Sequence, residues 1–164
     1  MPHPFRELLL RRSALVVLAT AALLVQGCGG GAGPDAPDRN LAFSIVENTA
    51  FSAVTTRRLL VVNDDVAWAA LWAQHKALVT PLPARPAIDF LRETVAAIFL
   101  GEVASCNRPR VDAVVETPGV RITVRWTHVP PQPNEACAAV VVHPVQMVRF
   151  DNPLRLPVEF SQAP

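Results

Sequence analysis

The residues with the most chemistry to offer are three cysteines, Cys28, Cys106 and Cys137, and the histidines His75, His128 and His143. Cys106 and Cys137 with His128 and His143 could together hold a metal. That chemistry needs paired spacing such as C-x-x-C or histidines at i, i+4, and neither pattern occurs here. The sequence also lacks G-x-S-x-G, H-E-x-x-H, a Gly-rich phosphate loop and paired catalytic carboxylates. No catalytic residue, metal or cofactor is therefore predicted, and the domain is read as non-enzymatic. A hidden site built from Ser105, His128 and His143 is the weaker reading, because only folding could bring them together.

Cys28 has a different context. Arg6, Arg11 and Arg12 against Glu7 make a basic N-terminal region, followed by an apolar run from Ala14 to Val25. A dozen residues are too few to cross ~30 Å of hydrocarbon as a helix but suit the apolar core of a signal peptide. The run ends in Val25-Gln26-Gly27-Cys28, which resembles the bacterial lipobox. The expectation is a signal peptide over residues 1–27, cleavage before Cys28 and lipidation of its thiol, with palmitate among the acyl chains. Residues 28–40, rich in Gly, Pro, Asp and Ala, read as a spacer. Gly29, where an acidic residue would act as a retention signal, predicts a lipid-anchored protein of the outer membrane, facing the periplasm or the cell surface.

Export makes the two remaining cysteines a natural pair, so a Cys106–Cys137 disulfide is expected. From Cys28 onward the chain carries 12 Lys and Arg against 13 Asp and Glu, a net charge of −1. That balance argues against nucleic acid as a partner, because phosphate binding needs a dense basic surface.

These groups must be positioned by the domain at residues 41–164. Leu41 to Glu47 and Arg57 to Val62 are β-prone. Asn63-Asp64-Asp65 then offers N-caps, and Trp68, Leu71, Trp72 and His75 recur at i, i+3, i+4 and i+7, predicting an amphipathic helix over about 65–77. Trp68 and Trp72 are a candidate binding surface, although aromatics at helical spacing more often belong to a core. The prolines of Thr80 to Pro86 end the helix. Thr94 to Gly101 reads as a central strand buried on both faces. Arg108 to Glu116 and Val120 to Thr127 read as a hairpin about Pro118-Gly119, pairing Val115 with Ile122, Ala113 with Val124 and Val111 with Trp126. On its other face Glu116 would meet Arg121, and Asp112 would meet Arg125. An L-Pro-Gly two-residue turn matches hairpin twist poorly, which favours a wider loop. After an exposed Pro-rich loop at 128–133, Ala138 to Val142, Val145 to Phe150 and Leu156 to Phe160 are further strands. The fold class is α+β, a mostly antiparallel β domain with one helix packed on the sheet.

The run Asp65-Val66-Ala67-Trp68-Ala69-Ala70-Leu71-Trp72-Ala73-Gln74-His75, then Ile88-Asp89-Phe90, then Thr94 to Glu102, resembles the C-terminal domain of the PrcB family, named for a lipoprotein subunit of a bacterial surface protease complex. The resemblance covers roughly residues 57 to 160. Many members carry Gly-Gly-Tyr-Ser after the Gly-Glu pair, where this chain has Ala104-Ser105-Cys106-Asn107. It implies a non-catalytic protein-binding or scaffold domain in the cell envelope, with an exported protease as one class of partner. The alternative is a binder of a small ligand or envelope polymer in a cleft near Trp68 and Trp72, and burial of those side chains would count against it.

Overall fold

The computed structural model describes residues 36–164. The expected signal peptide (1–27), Cys28 and most of the expected spacer lie outside the described residues. Among the described residues no helix is long and apolar enough to cross a membrane.

Ten strands and one helix follow in the order β1 (Arg39–Leu41), β2 (Phe43–Thr49), β3 (Arg58–Val62), α1 (Asp65–His75), β4 (Glu93–Phe99), β5 (Val103–Ala104), β6 (Arg108–Thr117), β7 (Arg121–Val129), β8 (Val141–Val142), β9 (Val145–Asp151) and β10 (Val158–Gln162). They form one four-stranded sheet ordered β1-β6-β7-β10, a second ordered β2-β9-β4-β3, and a two-stranded β5-β8 ladder. All pairings are antiparallel except β10 with β7. The domain is thus α+β and mostly antiparallel. The expected single strand from Leu41 to Glu47 is divided at Ala42, so that the chain leaves one sheet and enters the other.

β4 explains the layering. Its alternate residues face opposite ways, and both sets are apolar. Ala96 and Ile98 join Val111, Val114, Ile122, Val124, Trp126, Val148 and Phe150 in the core between the sheets. Val95, Ala97 and Phe99 join Trp68, Leu71, Trp72, Val145 and Met147 in a second core that receives α1. Val95 to Phe99 are fully buried, as a strand covered on both faces must be.

Asp64 caps α1, accepting the amide of Ala67 on a side-chain oxygen at 2.7 Å. The helix buries Trp68, Leu71, Trp72 and His75, but its other face presents Val66, Ala67, Ala69, Ala70 and Ala73 to solvent rather than charges. It is one-sided in burial without a strongly polar outer face. The segment after it does more than end the helix. Proline lacks an amide proton but keeps a carbonyl, and the carbonyls of Pro86 and Pro83 accept the indole N–H groups of Trp68 and Trp72 at 2.9 and 3.0 Å.

The β6–β7 hairpin departs from the expected register. Val111 does pair with Trp126, but near the turn Thr117 pairs with Arg121, Glu116 with Ile122 and Val114 with Val124. The loop is three residues, Pro118-Gly119-Val120, with Gly119 at φ +70° and the Val120 amide on the Thr117 carbonyl at 3.0 Å. A proline followed by a residue of positive φ is what a type II turn requires. The extra loop residue shifts the register by one, and a bulge at Asp112 absorbs the shift before Val111. Glu116 consequently points into the sandwich instead of meeting Arg121.

Candidate functional site

The strand registers define two ends of the sandwich. One carries the starts of β1, β4, β7 and β10 with the ends of β6 and β9; the other carries the start of β6 and the ends of β4 and β7. The expected disulfide is at the second end, the stapled end. Cys106 and Cys137 are bonded with their α-carbons 5.8 Å apart, within the range a disulfide spans.

Several contacts fix the loops it joins. Ser105 donates its hydroxyl to the Ala138 carbonyl, and its amide reaches the Val140 carbonyl at 3.0 Å. The Asn107 side chain donates to the Ala104 carbonyl at 2.8 Å and meets His128 Nε2 at 2.9 Å. Arg108 lies 3.2 Å from Glu135. The Gln132 amide and then Arg108 hold that carboxyl below its usual range. Only Val141–Val142 of the expected 138–142 strand pairs, with β5, because the chain before it is held by the turn to Ser105. Beside the staple, a cavity of about 230 Å³ is lined by Asn48, Thr49, Ala50, Cys106, Asn107, Arg108 and Pro144. Phe51, Val140 and Val141 are exposed near this end. The cavity presents amides, one guanidinium and apolar walls.

Trp68 and Trp72 do not form a surface. They are 0% and 5% exposed, with ring centroids 5.5 Å apart and both indole N–H groups taken by proline carbonyls. Their helical spacing reflects the core. Ser105, His128 and His143 do not assemble a nucleophile and base: Ser105 closes a turn, His128 meets Asn107, and His143 faces Glu102 at 3.8 Å. Both sulfurs of the conceivable thiol–imidazole metal set are consumed in the disulfide.

Sequence reasoning missed two groups. In the first, His75 Nδ1 lies 2.9 Å from Ser52 Oγ, and its Nε2 lies 3.6 Å from Glu47 Oε2, which also holds Lys76 at 2.5 Å. The residue types match a serine–histidine–acid relay. Ser52 and His75 are nevertheless 3% and 1% exposed, and Ser52 Oγ already accepts the Val54 amide at 3.0 Å. That oxygen keeps a second lone pair and its own proton, so it can pair with either tautomer of His75, and Nε2 at 3.6 Å stands beyond hydrogen-bond reach of Glu47. Neither Ser52 nor His75 lines any of the three cavities described for this surface. Burial, and then the charge of Lys76, push His75 below its ordinary value against the pull of Glu47. Burial pushes Glu47 up, but Lys76 and His75 outweigh it and hold the carboxylate low. The group ties the 52–54 loop to the end of α1, where the Ala53 amide also meets the His75 carbonyl.

The second is Glu116, 6% exposed, whose Oε2 takes Arg39 Nε at 2.9 Å and Nη2 at 2.7 Å. It borders a cavity of about 240 Å³ with Leu41, Ile122, Asn152, Leu154 and Leu156. The other expected charge pairs are also exchanged: Arg121 faces Glu159 at 3.5 Å, and Asp112 meets Arg110 and Thr127 at 2.6 Å each. Partners 28 residues apart for His75 and Glu47, or 77 for Arg39 and Glu116, leave no periodic signal.

No family model, no curated protein and no solved structure matches the chain.

Proposed function

We propose that the chain is a lipoprotein of the bacterial envelope, held on the membrane through Cys28, whose domain is a non-catalytic binding or scaffold module similar to the PrcB family. Its partner is a protein, with an exported protease as the class that the resemblance suggests. The observation that carries the reading is the stapled end. Its loops are fixed by a disulfide and side-chain bonds, and they hold Phe51, Val140 and Val141 exposed at 69%, 52% and 63% beside a groove. Rigid apolar side chains around a polar groove bind with little ordering cost, the condition under which small contact areas still give affinity. The cleft reading loses its location, because Trp68 and Trp72 are core.

The test is photo-crosslinking in the native host. A photoreactive phenylalanine at Phe51 or Val141 is expected to join the same exported protein, whereas one at Arg125, exposed on β7, is not. Phe51→Asp combined with Val141→Asp is expected to abolish co-purification of that protein without loss of fold. Equal crosslinking from all three positions, or unchanged co-purification, would contradict the proposal.

A further inference from the structure

We infer that the end of the sandwich opposite the staple rests on the lipid bilayer, with Val66, Leu91, Val120 and Leu154 entering its interface; the inference rests on the lipoprotein reading above. Strand register places all four together. Leu91 is in the turn before β4, Leu154 in the turn after β9, Val120 in the β6–β7 loop, and Val66 in the first turn of α1. Glu93 of β4 pairs with Asp151 of β9, and the Asn152 amide reaches the Arg92 carbonyl at 2.6 Å, which joins the Leu91 and Leu154 turns. Thr94 Oγ1 donates to Asn63 at 2.8 Å, which brings the start of α1 to the same end. Arg39, the first residue of β1, pairs with Glu116 beside the hairpin loop. The chain from Cys28 therefore enters the domain here.

Exposure and reach then decide the orientation. Leu91, Val66, Leu154 and Val120 are 85%, 81%, 71% and 44% exposed. Ten residues lie between Cys28 and Arg39, which makes eleven Cα-to-Cα steps. Eleven steps reach at most about 36–40 Å. β6 alone, at ten residues, is roughly 30 Å long. The tether's limit ties the β1 end within about 40 Å of an anchor at Cys28, and the exposed apolar side chains at this end set the orientation, with the stapled end away from the membrane. Most of the basic side chains here are paired, Arg39 with Glu116, Arg85 with Asp65, Arg92 with Asp151 and Arg121 with Glu159, while Arg155 reaches only the Glu93 carbonyl at 3.4 Å. Exposed Asp64, Asp89 and Asp151 stand at the same end against the one arginine without an ion pair, so the apolar side chains rather than anionic lipid carry the contact.

The experiment uses the mature lipidated protein in vesicles of phosphatidylethanolamine and phosphatidylglycerol, with an environment-sensitive fluorophore on Leu91→Cys, Leu154→Cys or, at the other end, Leu78→Cys. The expected result is quenching of positions 91 and 154 by lipids spin-labelled in the upper acyl chain, quenching of position 78 by aqueous iodide only, and no change when phosphatidylglycerol is omitted. Lipidated protein with 91 and 154 open to iodide overturns the inference alone. Protein recovered from membranes with no lipid on Cys28 overturns the inference together with the reading beneath it. Shielding that survives in detergent and grows with protein concentration assigns the patch to a second copy, and also overturns it.

Discussion

Removing the Cys106–Cys137 bridge by Cys106→Ser with Cys137→Ser is expected to cost the domain about 3–4 kcal/mol. The sequence separation is 31, and the chain-entropy relation gives roughly 12 cal/mol/K for a loop of this size, or about 3.7 kcal/mol at 25 °C. For a domain of this length each kcal/mol moves the unfolding temperature by a few degrees, so the shift is roughly 10–15 °C. Cys106 sits at φ +64°, in the left-handed region. A serine there bears the same backbone strain, so strain that relaxes when the bridge is lost can only lower the cost below the chain-entropy figure. The assay is urea unfolding of the oxidised, reduced and doubly substituted domain. Reduced and substituted proteins should match each other in midpoint, both far below the oxidised one. Two titratable thiols in the denatured, unreduced domain, or equal midpoints for all three forms, would refute the reasoning.

Gly101→Ala should destabilise by about 2–4 kcal/mol, since an added Cβ would lie 2.7 Å from the Arg57 amide nitrogen at φ +75°; Gly119→Ala, which meets open space, should cost only about 1–2 kcal/mol, and denaturant midpoints compare them. His75 is held neutral, so the unfolded chain takes up the proton first: its contribution is complete above the ordinary value of 6.5 and is lost as pH falls below it. His75→Gln should flatten that part of a stability-against-pH curve, and an unchanged acid limb would contradict the assignment. Arg39→Ala, which strands the buried Glu116 carboxylate, should cost about 1–3 kcal/mol. Arg39→Met with Glu116→Leu should recover most of it, as thermal unfolding would register.

What could be read in advance followed local rules. Capping and a 3.6-residue period located α1, and an unbroken apolar run marked β4 as covered on both faces. The expectation of export, which leaves an even pair once Cys28 is set aside for lipidation, paired Cys106 with Cys137. The failures share a non-local cause. Alternation marked β6 and β7 as a hairpin, but the three-residue loop at Pro118-Gly119-Val120 and the bulge at Asp112 decide which residues face inward. Alternation is nearly blind to both, and every charge pair drawn from the simpler register was exchanged. The Ser52–His75–Glu47 group and the Arg39–Glu116 pair join strands or loops that only the sheet order brings together. Trp68 and Trp72 were legible as a helix stripe. Whether that stripe was core or surface depended on the return path of the Pro-rich segment, whose carbonyls close over both indoles.

The measurement that bears most directly on the account is the mass of the N-terminal peptide of the protein recovered from membranes of its host. The account predicts a peptide that begins at Cys28, with the added mass of a diacylglyceryl group on its sulfur and fatty-acid label in the same fragment. An N-terminus upstream of Cys28, or an unmodified Cys28 in membrane-recovered protein, would contradict it.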